Sequence, residues 1–402
     1  MSEFLSANAL ILIAILKVVI VVFVLLTAVA YITWFERKVV AHMQSRWGPE
    51  RVGPHGLLQP LADGAKFLFK EDPTPAGIDR FVYFLAPFLA LSLALSTIAV
   101  IPLGPGTLRI FGHDTWFSVA ELNISLLVVF AITALSVYGV ALAGWASNSK
   151  YPLLGGLRSS AQMLSYELSL TMSVVGIVLL TNTFSLRDIV EAQRGGVLRW
   201  FVFPQIVGFV CFFISALAET NRVPFDLPEA ETELVAGFHT EYASFKFAMF
   251  FMAEYAAMVT VSFMVAVLFF GGYYSPFPPT ERFYWTFYLP TAGGVIGGLL
   301  LLLHGLRYHT AFGRILLPVV GLALTGAGIL CALPGVIRFV QGPFWLAAKV
   351  ATVLFVYVWV RGTLPRFRYD QLMNFGWKLL LPVSLGNLVV TSMIVALMRP
   401  PQ

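Results

Sequence analysis

Apolar runs long enough to cross a bilayer recur along the whole chain. The stretch "ILIAILKVVIVVFVLLTAVAYI" at 11–32 and the stretch "FAMFFMAEYAAMVTVSFMVAVLFF" at 247–270 are two of them. A helix needs about 20 such residues to span the hydrocarbon layer. Lipid offers no partner to a bare peptide group, so each run must close its hydrogen bonds internally as a helix. Only 12% of the 402 residues are charged and 58% are hydrophobic, with mean hydropathy +0.82. Soluble domains carry about a quarter charged residues, so no water-facing shell can be built here. The expected fold is an all-α polytopic membrane protein with about ten spans, at 10–33, 81–102, 117–143, 160–181, 201–218, 247–270, 286–303, 315–333, 344–361 and 375–397. The first run reads as a span rather than a cleaved signal peptide, lacking a basic leader and a small-residue cleavage site. Cys211 and Cys331 fall in apolar segments and read as small hydrophobes rather than a disulfide.

Successive spans put their connections on alternate sides. The set 34–80, 144–159, 219–246, 304–314 and 362–374, with Arg361 at its edge, holds 16 of the 26 Lys and Arg residues. The opposite set holds 7, and Lys17, Lys349 and Lys378 lie within spans. The positive-inside rule then places the first set in the cytoplasm and both termini outside. Within the first loop, Gly48-Pro49 and Gly53-Pro54 mark turns. After them Leu57, Leu58, Leu61, Ala65, Leu68 and Phe69 recur at helical spacing, opposite Asp63, Lys66 and Lys70. This predicts an amphipathic helix over 57–70, lying in the headgroup region or buried against a partner subunit.

Acids stand where the membrane should exclude them. Glu36 ends the first span, Glu121 starts the third, Glu167 lies in the fourth, Glu219 closes the fifth and Glu254 is inside the sixth. Each costs roughly 2.5–3.5 kcal/mol on insertion scales, so each needs a reason. One reading pairs them with basic residues as helix pins; the other makes them a file for protons or cations. With three intramembrane lysines for five acids, the second is favoured. Metal and nucleotide chemistry find no support in the pattern: there is no CxxC, no HExxH and no GxxxxGK[ST] segment. The six histidines are scattered, and no metal ligands or catalytic residues are assigned.

The segment "AETNRVPFDLPEAETELVAGFHTEY" (218–242) sets six acids, Glu219, Asp226, Glu229, Glu231, Glu233 and Glu241, against Arg222. Together with "WFERKVVAHMQSRWGPERVGPHGLLQPLADGAKFLFKED", "GLRSSAQMLSYELSL" and "TLPRFRYDQLMNFGWKLLLPVSLGN", it closely resembles the H subunit of bacterial respiratory complex I, the proton-pumping NADH:quinone oxidoreductase. The resemblance covers about 10–270 and 344–397. It implies a membrane subunit that forms much of a quinone-access chamber and joins the redox arm to the pumping arm. Carried over by motif, Glu36, Arg37, Arg46 and Asp63 lie at the chamber, with Glu229, Glu231 and Glu233 in the acidic loop facing it. Glu121, Glu167, Glu219 and Glu254 correspond to a proton path into the membrane. Quinone is then a substrate. This chain binds no cofactor of its own, and flavin and iron–sulfur clusters belong to the partner subunits. The partners implied are the soluble quinone-site subunits, neighbouring membrane subunits and lipids, with no nucleic acid.

Family members usually run eight spans, and here 273–343 intervenes as two more. The chain divides as 1–272, with the helix 57–70 and the acidic loop 219–246; the inserted pair 273–343; and 344–402. Gly293, Gly294, Gly297 and Gly298 would let a neighbouring helix approach closely or leave loose lipid-facing packing. Two other functions compete with the first, a stand-alone cation/proton antiporter and the membrane anchor of an energy-converting hydrogenase.

Overall fold

A computed structural model describes residues 9–110, 113–226 and 236–398, with the side chains of 108–110 outside that description. Among the described residues, nine helices are long and apolar enough to cross a membrane, and a tenth, Ile206–Glu219, is apolar but shorter. The first, α1, runs Ala9–Met43 over 35 residues. At 1.5 Å per residue it measures about 50 Å and overreaches the ~30 Å hydrocarbon layer. Its buried residues Leu25, Val29, Ile32 and Glu36 recur every three or four positions. The helix persists past residue 33 because that packed stripe continues beyond the greasy part of the sequence.

The amphipathic helix α2 spans Gln59–Phe69. Leu61, Leu68 and Phe69 on it are exposed, so its apolar face is left uncovered by this chain. Its end is held where the Ser244 hydroxyl donates to the Phe67 and Lys70 carbonyls, at 2.7 and 3.0 Å. Helix α3 (Arg80–Ser96) starts on an Asp79 cap whose side chain accepts from the Val82 amide. Beyond it, β1 (Thr107–Ile110) pairs antiparallel with β2 (His113–Trp116), Thr107 opposite Trp116. The third span, α4, is Ser125–Ala146, not 117–143. Residues before it fold back on the segment just past α3, where the Leu103 amide donates to the Phe117 carbonyl and the Ala120 amide to the Ala99 carbonyl.

Helix α5 (Lys150–Thr181) is the axle of the bundle, touching α4, the short α6 (Leu186–Ala192), α7 (Ile206–Glu219) and the last span. Helix α8 (Ser244–Phe269) packs on α3 and on α11 (Pro334–Thr363) and is the most enclosed of the spans. The last span begins as α12 (Tyr369–Phe375), passes through one π turn at Gly376–Leu380 and continues as α13 (Leu381–Met398).

Between α8 and α11 stand α9 (Leu289–Leu306) and α10 (Ala311–Leu330), packed chiefly on each other. Their seam is glycine against backbone. A Cβ added at Gly298 would stand 2.6 Å from the Gly321 carbonyl oxygen, and one at Gly328 would stand 2.7 Å from the Val295 nitrogen. Gly294 likewise faces Gly328, whereas Gly293 has open space and Gly297 an ordinary side-chain contact. The close approach expected of the glycines thus belongs to Gly294 and Gly298.

Candidate functional site

Two polar places lie on either side of α8. The first is at the end of the bundle that carries the long first loop, here called the mouth. Glu36 is 5% exposed there, and two guanidiniums converge on its carboxylate. Arg361, from the end of α11, forms an ion pair with it, and Arg222, just past α7, stands 3.9 Å away. The Tyr255 hydroxyl donates to the same carboxylate at 2.9 Å, and the Arg222 guanidinium lies 4.0 Å from the Tyr255 ring centre. Two guanidiniums beside a buried carboxylate offset the hydration that it loses.

A cleft of about 540 Å³ opens beside this cluster, lined by Glu36, Arg37, Arg46, Trp47, Arg361 and Arg366. Arg37 leaves the buried stripe and binds Asp63 on α2 at 2.7 Å. Arg46 donates from Nε to the Gln44 side chain at 2.7 Å. Arg366 meets Asp226 at 3.0 Å, so the start of the acidic segment is tied to the α11–α12 connection. Gln162 on α5 holds the same segment from below, donating to the carbonyls of Ala218 and Phe225 at 2.8 and 2.9 Å. At the other end of that segment the Tyr242 ring stacks on Tyr83 at 4.3 Å, and burial pushes its hydroxyl well above the usual tyrosine range.

The second place is a cavity of about 70 Å³ between α3, α4, α5, α7 and α8. One water needs roughly 10–15 Å³ of such space, so the cavity has room for several. Its wall carries Glu219 and Glu254, with Thr133, Asn221 and the mutually bonded hydroxyls of Thr97 and Thr260, 3.1 Å apart. Glu167 lies outside the wall but within electrostatic reach of Glu219. Among the described residues no cation pairs with Glu167 or Glu219.

The sequence-based residues therefore sort into groups. Glu36, Arg37 and Arg46 share the mouth cleft, and Asp63 joins them through Arg37. Glu219 and Glu254 share the inner cavity, with Glu167 next to it. Glu121 is elsewhere: it precedes α4 on the opposite side of the bundle and pairs with Arg187 at 2.9 Å, whose guanidinium stacks on Trp116 at 3.5 Å. Hydropathy puts Glu121 inside the third span, but the late start of α4 leaves it at the surface. Glu229, Glu231 and Glu233 lie outside the described residues. The expected shortage of bases takes a different form, because Lys17 and Lys349 bind backbone carbonyls instead of acids. The cations that reach Glu36 come from helix ends. Sequence reasoning misses Arg222, Arg361, Tyr255 and Gln162 as site residues; the one local signal is Tyr255 standing next to Glu254. No group of three or more His, Cys, Asp or Glu among the described residues is arranged to hold a metal.

Residues 16–392 match the family described as NADH dehydrogenase. The chain belongs to that family. Its similarity to the first of the NADH-quinone oxidoreductase H subunits of Solibacter usitatus is 50% identity over 393 residues, covering 97% of this chain and 98% of that protein. The second such H subunit of Koribacter versatilis is 49% identical over 399 residues, covering 96% of this chain and 98% of that one. The H subunit of Deinococcus radiodurans is 44% identical over 398 residues, covering 98% of this chain and 85% of that one. The matched range takes in α9 and α10.

Proposed function

We propose that this chain is the membrane subunit of an NADH:quinone oxidoreductase of the complex I type, that its mouth cleft is the membrane end of the quinone chamber, and that the acids beyond α8 carry the resulting charge change into the membrane. The relatives' names and the multi-pass architecture support the first part. For the rest, the supporting observation is a pair of consecutive residues. Tyr255 reaches Glu36 in the mouth, while Glu254 lines the cavity that also holds Glu219.

Quinone reduction consumes two electrons and two protons, so the charge beside the chamber changes in each turnover. Glu36, Arg37, Arg46 and Asp63 set the field at the mouth, and Glu229, Glu231 and Glu233, which lie outside the described residues, are assigned to the chamber by their motif. A change there is felt by Glu254 and Glu219 across one helix, where low dielectric keeps Coulomb forces long-ranged. Glu167 extends the path, and Glu121, at the far surface, is assigned to its outer end. The electron carriers are assigned to partner subunits, as in the resemblance to H subunits. The mouth faces the cytoplasm in this reading, by the excess of basic loops on that side. The segments 1–272, 273–343 and 344–402 are chamber and path, peripheral pair and closing helices.

The test is Glu219→Gln and Glu254→Gln in the assembled complex. Quinone-coupled proton uptake should fall by about tenfold or more, the scale on which proton-transfer groups act. Reduction of an artificial acceptor by the soluble arm should be unchanged. Full coupled activity in both variants would reject the path. Cation transport by the purified chain alone would favour an antiporter.

A further inference from the structure

The α9–α10 connection meets the first loop on the mouth side of the bundle, at residues that follow directly on the Gly48 and Pro49 of the mouth cleft. His55 Nε2 lies 2.9 Å from His304 Nε2, and the His55 amide donates to the Tyr308 hydroxyl at 3.1 Å. These contacts enclose a second cleft, of about 710 Å³, lined by Arg51, His304, Arg307, His309 and Phe312, with Glu50 as its one acid among the described residues. That acid is already engaged, its carboxylate 3.3 Å from Lys38. Neither Arg51 nor Arg307 has an acidic partner among the described residues. The cleft therefore presents two guanidiniums without acidic partners, with the His304 and His309 rings beside them.

Its border is apolar and open. Leu303 and Leu306 on the last turns of α9, and Phe312 and Ile315 on the first turns of α10, are all more than half exposed. Positive charge inside and bare aliphatic surface directly beside it, at the junction of two spans, fit a ligand with an anionic head and hydrocarbon tails. A free anion would satisfy the arginines and leave the apolar border unused. An acidic protein segment would meet the head cleft but not the lipid-facing leucines.

We infer that the cleft between Arg51 and Arg307 is a binding site for the headgroup of an anionic phospholipid, with its acyl chains along Leu303, Leu306, Phe312 and Ile315. Bidentate guanidinium–phosphate pairing supplies the head contact. The site gives the α9–α10 pair a task that the redox function does not assign, which is to fasten a boundary lipid to the loop that carries Arg37 and Asp63.

The test uses membranes containing the full chain with whatever subunits accompany it. Phosphatidylglycerol and phosphatidylcholine with identical photoreactive acyl chains are cross-linked in parallel, and adducts are mapped to residues 300–320. Two arginines at the membrane surface should favour the anionic lipid by about 30-fold. The Arg51→Gln, Arg307→Gln double variant should lose that preference, and the Arg51→Lys, Arg307→Lys variant should keep most of it. Both arginines are exposed, so the variants should unfold at the parent temperature. Equal labelling by both lipids overturns the inference, as does an undiminished preference in the glutamine variant. Complete competition by glycerol 1-phosphate would assign the cleft to free phosphate compounds instead. Labelling that appears only after partner subunits are stripped away would assign it to a protein, and either result overturns the lipid site.

Discussion

Glutamine in place of Glu36 leaves two guanidiniums facing a neutral amide. Arg222 is the costly one, with its side chain 8% exposed and 3.9 Å from the carboxylate. At an effective dielectric near 20, that separation corresponds to about 4 kcal/mol of attraction. Arg361 contributes less despite its closer contact, because a third of its side chain is in solvent. Glutamine keeps the volume and can still accept from the Tyr255 hydroxyl, so packing losses are small. The expected cost of Glu36→Gln is therefore about 3–5 kcal/mol, the range seen when one partner of a buried pair is removed. The assay is denaturant unfolding of the purified protein in detergent micelles, run as a double-mutant cycle with Arg222→Gln. Removing both charges should cost clearly less than the two single losses added together, by about 1–3 kcal/mol of coupling. A single variant within about 1 kcal/mol of the parent, or strict additivity in the cycle, would refute the claim that the mouth is held by this charge cluster.

Gly298→Val drives a side chain into the Thr325 and Gly321 backbone. It should cost about 1–3 kcal/mol and raise amide exchange in α9 and α10 while leaving Glu36 chemistry intact. Gln162→Leu strands the Ala218 and Phe225 carbonyls, a loss of about 1–3 kcal/mol that should appear as faster exchange over 218–226. His55 is held below its usual 6.5 by burial first, then by His304, Lys38 and His309, with Glu50 opposing. Its depressed value means that the unfolded chain binds the proton more readily. The contact with His304 is thus favoured above pH 6.5 and weakens as pH falls through the folded value. Spin labels on the two loops should separate on acidification, and His55→Gln should abolish that pH response.

The spans are legible because lipid demands long apolar runs, and nine of ten expected segments coincide with a long helix. Their ends are less so. Helix α1 continues to Met43 and α5 begins at Lys150, because contact with neighbours, rather than hydropathy, sustains a helix outside the membrane. The reverse happens at 117–124, read as the start of a span yet held to Ala99 and Leu103, just past α3, by backbone hydrogen bonds. Glu36 can be placed inward from its spacing with Leu25, Val29 and Ile32, but its partners cannot be named that way. Arg222 and Arg361 lie far from it along the chain, and nothing local in sequence announces a meeting of α1 with the ends of α7 and α11. The π turn at Gly376–Leu380 also leaves no periodic trace, since one extra residue in a turn shifts the pattern too little to notice.

Tyr255 and Glu254 are neighbours on one helix, and neighbouring residues project about 100° apart. Helix α8 is therefore a partition wall with a fitting on each side. It has little freedom to slide, given how fully it is enclosed, but a small roll about its own axis would act as a gear. Drawing Tyr255 away from Glu36 would swing Glu254 through its compartment in the same stroke, so the two chambers would report on each other by torque even if no proton ever passed directly between them.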